Sequence, residues 1–440
     1  MTAVALPTRV RFGYSLGSLV TGAFGTVPGL LLLPYLTDTL GVAAGLAGLL
    51  VLLPKAWDVL VNPVAGRISD GYTSRLGPRR PFLLTGGLAV AVLFASIFAG
   101  PVRSGPGAAA YATVLFLATA TGYAFFQVPY VAMPAEMTDG YAERTRLMTW
   151  RVAVLAVAIL VSGGVAPIVV DAAGKGIPGY RAMGVFVGAL IVAGTVGAFV
   201  GTRGAPVGRL TESEPSLRAQ LAVARGNRPF RQLLACWVAQ AAGIATMLAG
   251  VNYFAEQVLH SQAAKTLLFV CFVGPALLVM PVWSRVGESL GKLRGYWAAS
   301  LLFALGALLL GGAHALPALR APAVAYLVTA LIGAGYAGQQ VFGMAMLPDC
   351  IARDARRTGR RQAGVFTGLW TAGETFGLAL GPGIFGLLLQ AFGYVSSAGA
   401  TVGQSATARL GIVLGFTVVP AVVVGFALLF LRGYEDVANE

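Results

Sequence analysis

Charge is scarce in this chain of 440 residues: 11% of it is Asp, Glu, Lys or Arg, while 57% is hydrophobic. Soluble domains carry about 25% charged residues, so a soluble protein of this length is excluded. Histidine is scarcer still. The two present, His260 and His314, fall at the outer ends of apolar segments, and no nucleophile motif or metal-ligand cluster accompanies them. That argues against an enzyme, and no cofactor or metal is expected. Cys236, Cys271 and Cys350 are scattered without ligand spacing, which excludes a zinc site or a disulfide framework and leaves ordinary thiols. No short apolar core ending in a small-residue cleavage site follows Arg9 and Arg11. A removable signal peptide is therefore not expected, and the first apolar segment serves as the insertion signal.

What the chain does have is long apolar runs. A helix needs about 20 such residues to cross a bilayer, and they can be read at 13–36, 42–70, 82–100, 109–136, 147–170, 182–202, 231–258, 264–284, 293–314, 321–345, 363–392 and 408–432. The expected fold is an all-α integral membrane protein of twelve transmembrane helices. The formal charge of +14 raises the question of nucleic acid. Such a surface would gather basic residues on one folded face among aromatics; here they are dispersed through short loops. With the N-terminus inside, only Arg103, Lys175, Arg181, Lys265, Arg320 and Arg409 fall in the outer loops, and Lys55 falls within a span. This bias predicts a multi-pass plasma-membrane protein, with both termini cytoplasmic and the lipid bilayer, not nucleic acid, as its surroundings. Nothing in the sequence requires more than a monomer.

One long polar interval, 203–230, separates an N-terminal six-helix bundle (1–202) from a C-terminal one (231–440). The halves share an internal similarity. "QVPYVAMPAEMTDGYAERT" from Gln127 aligns without gaps to "QVFGMAMLPDCIARDARRT" from Gln340, bringing Glu136 onto Asp349 at the end of the fourth helix of each half. Two pseudo-symmetric six-helix bundles joined by a cytoplasmic linker are the architecture of a secondary transporter with a midplane site.

Candidate functional residues are the polar groups inside the apolar runs. In "KAWDVLVNP", Asp58 and Asn62 are four residues apart and share a helix face, with Lys55 one turn before Asp58. An ionisable group at the middle of a span normally faces a cavity or a partner and marks an ion, proton or substrate path. Pro63 has no N–H, so the Val59 carbonyl is released beside Asp58. Asp58, Val59 and Asn62 thus form a candidate site for a proton or small hard cation; a structural Lys55–Asp58 ion pair is the competing reading. Glu374 is a second mid-span acid, beside Gly373, Gly377 and Gly381, which leave room for close helix approach or for a ligand. Candidate solute contacts are Lys55, Gln127, Tyr130, Arg151, Gln340, Trp370 and Glu374, with Gln339 and Tyr336 as further polar and aromatic neighbours. Packing is the competing role for the aromatics.

Two loops carry candidate gating charges. In "GRISDGYTSRLGPRRP" Asp70 stands near Arg75, Arg79 and Arg80; in "PAEMTDGYAERTRLMTWR" Glu136 and Asp139 stand near Arg144. Asp349 is the counterpart in the second half. Ion pairs among them can lock helices in one conformation and release them in another.

"AWDVLVNPVAGRISDGYTSRLGPRRPF", "VPYVAMPAEMTDGYAERTRL" and "GETFGLALGP" resemble the glycoside-pentoside-hexuronide:cation symporters of the major facilitator superfamily, the group containing the melibiose symporter. The resemblance implies alternating access, with a cation driving uptake of a small glycoside-like solute. Sodium-coupled sugar members carry two acids in the second helix, as WDxxxDP. This chain keeps Asp58 and has Asn62 in the other place, and it has Gln127 where those members place a fourth-helix carboxylate. The coupling ion is accordingly expected to be a proton, with sodium the alternative. A related branch carries lysophospholipids, so a lysolipid or other amphipathic cargo, uncoupled, is the competing expectation.

Overall fold

The computed structural model describes residues 6–100, 105–138, 141–205, 225–315, 321–358, 363–398 and 402–434, and these contain helices and connecting turns only. The first span is pieced together from α1 (Thr8–Leu16), α2 (Ser18–Val27) and two wider turns, Pro28–Leu32 and Tyr35–Thr39. Its prolines explain the irregularity, since Pro28 and Pro34 each remove an N–H from the helical ladder. The rest of the first half is α3 (Ala44–Asp70), α4 (Arg80–Ile97), α5 (Gly105–Met137), α6 (Tyr141–Ala172) and α7 (Gly176–Gly201). The second half contains α8 (Arg228–Gln257), α9 (Ala263–Leu290), α10 (Lys292–Ala315), α11 (Pro322–Thr358) and α12 (Ala363–Ala391). It closes with α13 (Ala406–Phe416), α14 (Val418–Ala427) and a tight turn, Leu428–Leu431, which together make the last span.

All twelve expected spans are therefore helical among the described residues. Ten are long and apolar enough to cross a membrane by length and composition. Of the other two, α11 has its apolar run broken by Gln339 and Gln340, and the apolar stretch described within α3 is Ala44–Pro54. Large apolar side chains are left outside on many helices, Leu278 at 80% and Leu327 at 72% exposure among them. In a multi-pass membrane protein such side chains face lipid.

By Cα proximity the chain divides into two compact units, Met1–Ser213 with Ser396–Val402, and Glu214–Val395 with Gly403–Glu440. In the first unit α4 packs on α5 and α7, α3 lies along α5, and α2 lies against α6 and α7. Its core is aromatic: Phe24 meets Phe94, Phe116 and Tyr123, and Tyr35 meets Phe98 and Tyr180. Residues 396–398 belong to this unit although they are late in sequence. Ser397 donates to the Thr37 carbonyl through its N–H (3.2 Å) and to the Asp38 carbonyl through its hydroxyl (3.0 Å); the Ser396 hydroxyl donates to the Val42 carbonyl (2.8 Å). At the end of the first span the Leu40 and Val42 N–H groups turn back to the Tyr35 and Leu36 carbonyls, and this distant segment supplies donors to the carbonyls beyond them. Gly41, at φ +67°, faces Ala398 so closely that a side chain would collide with it.

In the second unit α12 runs along α8, and α11 packs on both α9 and α10. The α8–α12 approach depends on small residues. A side chain on Gly377 would meet the Val238 carbonyl, and one on Gly381 would meet the Ala245 backbone. The spacing that left room for a helix or a ligand thus serves a helix. Two turns before Gly377, Trp370 stacks on Trp237 with ring centroids 4.5 Å apart.

Candidate functional site

Asp58 lies mid-way along α3 and is 6% exposed. Pro63 sits inside the same helix, so the Val59 carbonyl has no helical N–H to accept. Asn62, one turn beyond Asp58, is exposed. The indole N–H of the neighbouring Trp57 donates to the Thr121 hydroxyl at 2.9 Å and ties α3 to α5. On α5, the Tyr123 hydroxyl lies within electrostatic reach of Asp58, Arg151 and Tyr130. Gln127 follows one turn on, half-buried, with its buried Oε1 lacking a hydrogen-bond partner among the described residues. Tyr130 comes next on the same face. It is wholly buried, stacked on Tyr14 at 4.6 Å, and donates to the Tyr14 carbonyl at 2.9 Å, with the Ser18 hydroxyl 3.1 Å away. Arg151, from α6, lies 5.2 Å over the Tyr130 ring. One face of α5 therefore lines up Tyr123, Gln127 and Tyr130 between an acid on α3 and a guanidinium on α6. Tyr123 escaped the sequence reading, although its spacing of four and seven from Gln127 and Tyr130 is the signal for one helix face.

The second unit repeats part of this arrangement. Extending the internal alignment upstream pairs "GYAFFQV" at Gly122 with "GYAGQQV" at Gly335, so Tyr123 corresponds to Tyr336 as Gln127 does to Gln340. Tyr336 is within electrostatic reach of Glu374, as Tyr123 is of Asp58. Glu374 is half-buried on α12 and makes no hydrogen bond or ion pair among the described residues. Gln340 is half-buried, while Gln339 is wholly buried with neither amide atom partnered among the described residues. A polar cluster not foreseen from sequence lies deeper: Tyr296 donates to the Gln240 Oε1 at 2.7 Å, and Gln240 donates to Ser300 at 2.8 Å.

Of the candidate gating charges, those described sit near helix ends. Arg79 pairs with Glu136 at 2.7 Å, both side chains 6% exposed, and also donates to the Ser69 hydroxyl at 2.8 Å. In the second unit Lys292 pairs with Asp349 at 2.6 Å, in a more open setting. Because Glu136 and Asp349 are aligned positions, the repeat preserves one ion pair in each unit. Arg80 takes a different partner, donating to the Phe199 carbonyl at 2.8 Å and lying over the Phe199 ring. Arg75 is exposed. Arg11 and Glu143, 2.5 Å apart, add a pair between α1 and α6. The side chains of Lys55, Val59, Asp70 and Arg144 lie outside the described residues, as does Asp139 altogether.

A family model described as MFS/sugar transport protein matches residues 13–435. The chain belongs to this family. The uncharacterized symporter YnaJ of Bacillus subtilis is 26% identical over 97% of this chain and 91% of its own. The glucuronide carrier protein homologue of Escherichia coli is 26% identical over 99% and 95%. A crystal structure of a bacterial homologue of the human lysosomal transporter Spinster, inward-facing and unoccupied, superposes with a TM-score of 0.69 at 14% identity, covering 97% of this chain and 95% of that one. The fold is thus the major facilitator fold, twelve helices in two pseudo-symmetric bundles. This MFS/sugar transport protein is a multi-pass membrane transporter, and its family and fold neighbours are transporters, not enzymes.

Proposed function

We propose that the protein is a cation-coupled symporter of a small glycoside-like solute, working by alternating access and driven by protons in preference to sodium. The observation that carries this reading is Asp58: a buried acid at the middle of a span, with the tyrosine of the repeat beside it. The names of full-length relatives, a symporter and a glucuronide carrier homologue, support the solute class and the coupling. A hard cation such as sodium favours several oxygen ligands with more than one negative charge. Asp58, the Val59 carbonyl and an exposed Asn62 offer one acid, which favours a proton. An ionised Asp58 facing a closing, emptied cavity carries a desolvation cost, so the loaded carrier isomerises more readily than the empty one. Arg79–Glu136 and Lys292–Asp349 serve as gates that break and form during the cycle, at the side where both termini and the basic loops face the cytoplasm. The protein acts as a monomer of two functional halves, 1–202 and 231–440, joined by 203–230.

Uptake into proteoliposomes with an imposed pH or sodium gradient, across glycosides, uronides and lysolipids, tests the proposal. Glycoside accumulation that follows the pH gradient is expected. Strict sodium dependence at fixed pH would overturn the proton assignment, and uptake of lysolipid alone would overturn the solute class.

A further inference from the structure

Arg79 has an acid for a partner and Arg80 does not. Arg80 donates to the Phe199 carbonyl on α7 at 2.8 Å and lies 4.6 Å over the Phe199 ring. Its buried Nε has no hydrogen-bond partner among the described residues, so the guanidinium keeps a donor that no protein acceptor takes. Two more arginines gather at the same end of the first unit. Arg203 follows Phe199 by one helical turn, just past the end of α7, and is exposed. Helix α1 runs against α7, since Gly201, Gly197 and Gly194 meet Gly13, Leu16 and Leu19 in turn. Arg9, exposed and one turn before Gly13, therefore lies at the level of Arg203. Among the described residues none of the three is paired with an acid, and the described acids at this end, Glu136 and Glu143, are taken by Arg79 and Arg11.

The helix dipole accounts for part of this arrangement only. It favours a cation where α7 stops, but Arg80, at the first residue of α4, meets the positive end of its own helix. Like charges gathered without a counter-charge repel. The face of α7 that leads away from Arg203 is apolar and open: Val185, Val192, Val196 and Val200 are all exposed, at helical spacing that ends on Arg203. In a bilayer such a face is covered by acyl chain. We infer that Arg80, Arg203 and Arg9 form a site for the phosphate headgroup of an anionic phospholipid, one acyl chain of which lies along the α7 valines. A guanidinium fork matches phosphate oxygens, and basic pockets between helices at a membrane surface recognise such headgroups. The unbroken run from valines to arginines selects a lipid over free phosphate. This site is separate from Asp58 and stands whatever solute the carrier moves.

The test is titration of the full-length protein in detergent with palmitoyl-oleoyl phosphatidylglycerol or the matching phosphatidylcholine, the bound lipids being counted by native mass spectrometry. Wild type is expected to hold one phosphatidylglycerol in clear preference to phosphatidylcholine. Arg80→Gln and Arg203→Gln should each weaken it about fivefold, and the double variant about 30-fold. Arg356→Gln removes the same charge from an exposed position in the second unit and should change binding by less than about twofold. Size-exclusion profiles show whether each variant is folded; should Arg80→Gln fail to fold, Arg203→Gln, beyond the end of its helix, carries the test. Equal retention of the two lipids by wild type, or an equal loss in Arg356→Gln, overturns the inference. So does displacement of the lipid by inorganic phosphate or glycerophosphoglycerol at matched concentration, which would show a site for the free anion.

Discussion

The two units use the same repeat to different ends. At its start each places a tyrosine near a mid-span acid, and at its end each places an acid in an ion pair with a residue at the start of the third span of its unit. In the first unit the charges are compensated: Arg151 reaches the tyrosines beside Asp58, and Arg79 and Glu136 are sealed from solvent. In the second, Glu374 stands without an ion pair among the described residues, and Lys292–Asp349 is partly open. A duplicated helix therefore retains its geometry while burial and the neighbouring cation decide what the geometry is worth.

The largest difference between the units should be in the gates. Glu136→Gln removes the carboxylate charge from beside the buried Arg79 and should cost about 3–5 kcal/mol, whereas Asp349→Asn, at an open pair, should cost about 1 kcal/mol or less. Thermal unfolding in detergent measures both; equal losses would remove the contrast. The swap Arg79→Glu with Glu136→Arg should recover part of the loss. Neutralising Asp70 and Glu136 together should shift the resting carrier toward an inward-open form, read by thiol labelling of single cysteines along the inner and outer cavities. Unchanged accessibility on both sides would contradict this.

A smaller effect is expected at the capped end of the first span. Ser396→Ala with Ser397→Ala removes two side-chain hydrogen bonds, a loss of about 2 kcal/mol. Hydrogen exchange at residues 40–44 should rise while exchange in α8 stays as it was. Uniform loosening of both regions would mean that the segment does not act locally.

The spans were legible in the sequence because a bilayer demands long apolar runs, and even α11, weakened by Gln339 and Gln340, could be found. Asp58 and Glu374 were legible for the opposite reason, as charges where charges are expensive. The alignment from Gln127 and Gln340 brought Glu136 onto Asp349 but stopped short of Tyr123 and Tyr336, four residues upstream, where the match continues. Other features have no local signature. That Arg79, and not Arg75 or Arg80, meets Glu136 depends on how α4 leaves its loop. The docking of Ser396 and Ser397 on the first span joins residues more than 350 apart in sequence, and apolar periodicity carries no trace of it. Gly373, Gly377 and Gly381 were visible as small residues, yet their use was decided by the backbone of α8.

The central claim is that Asp58 couples a cation to solute movement. Asp58→Asn retains size and hydrogen bonding while removing the charge, so the empty carrier no longer meets the desolvation cost that holds it back. The direct measurement is solute accumulation in proteoliposomes under an imposed pH gradient, beside solute exchange without a gradient, for wild type and Asp58→Asn. The account predicts that accumulation is abolished in the variant while downhill exchange is partly retained and the protein remains folded and inserted. Accumulation at the wild-type level would contradict it and would leave Asp58 as a structural residue of α3.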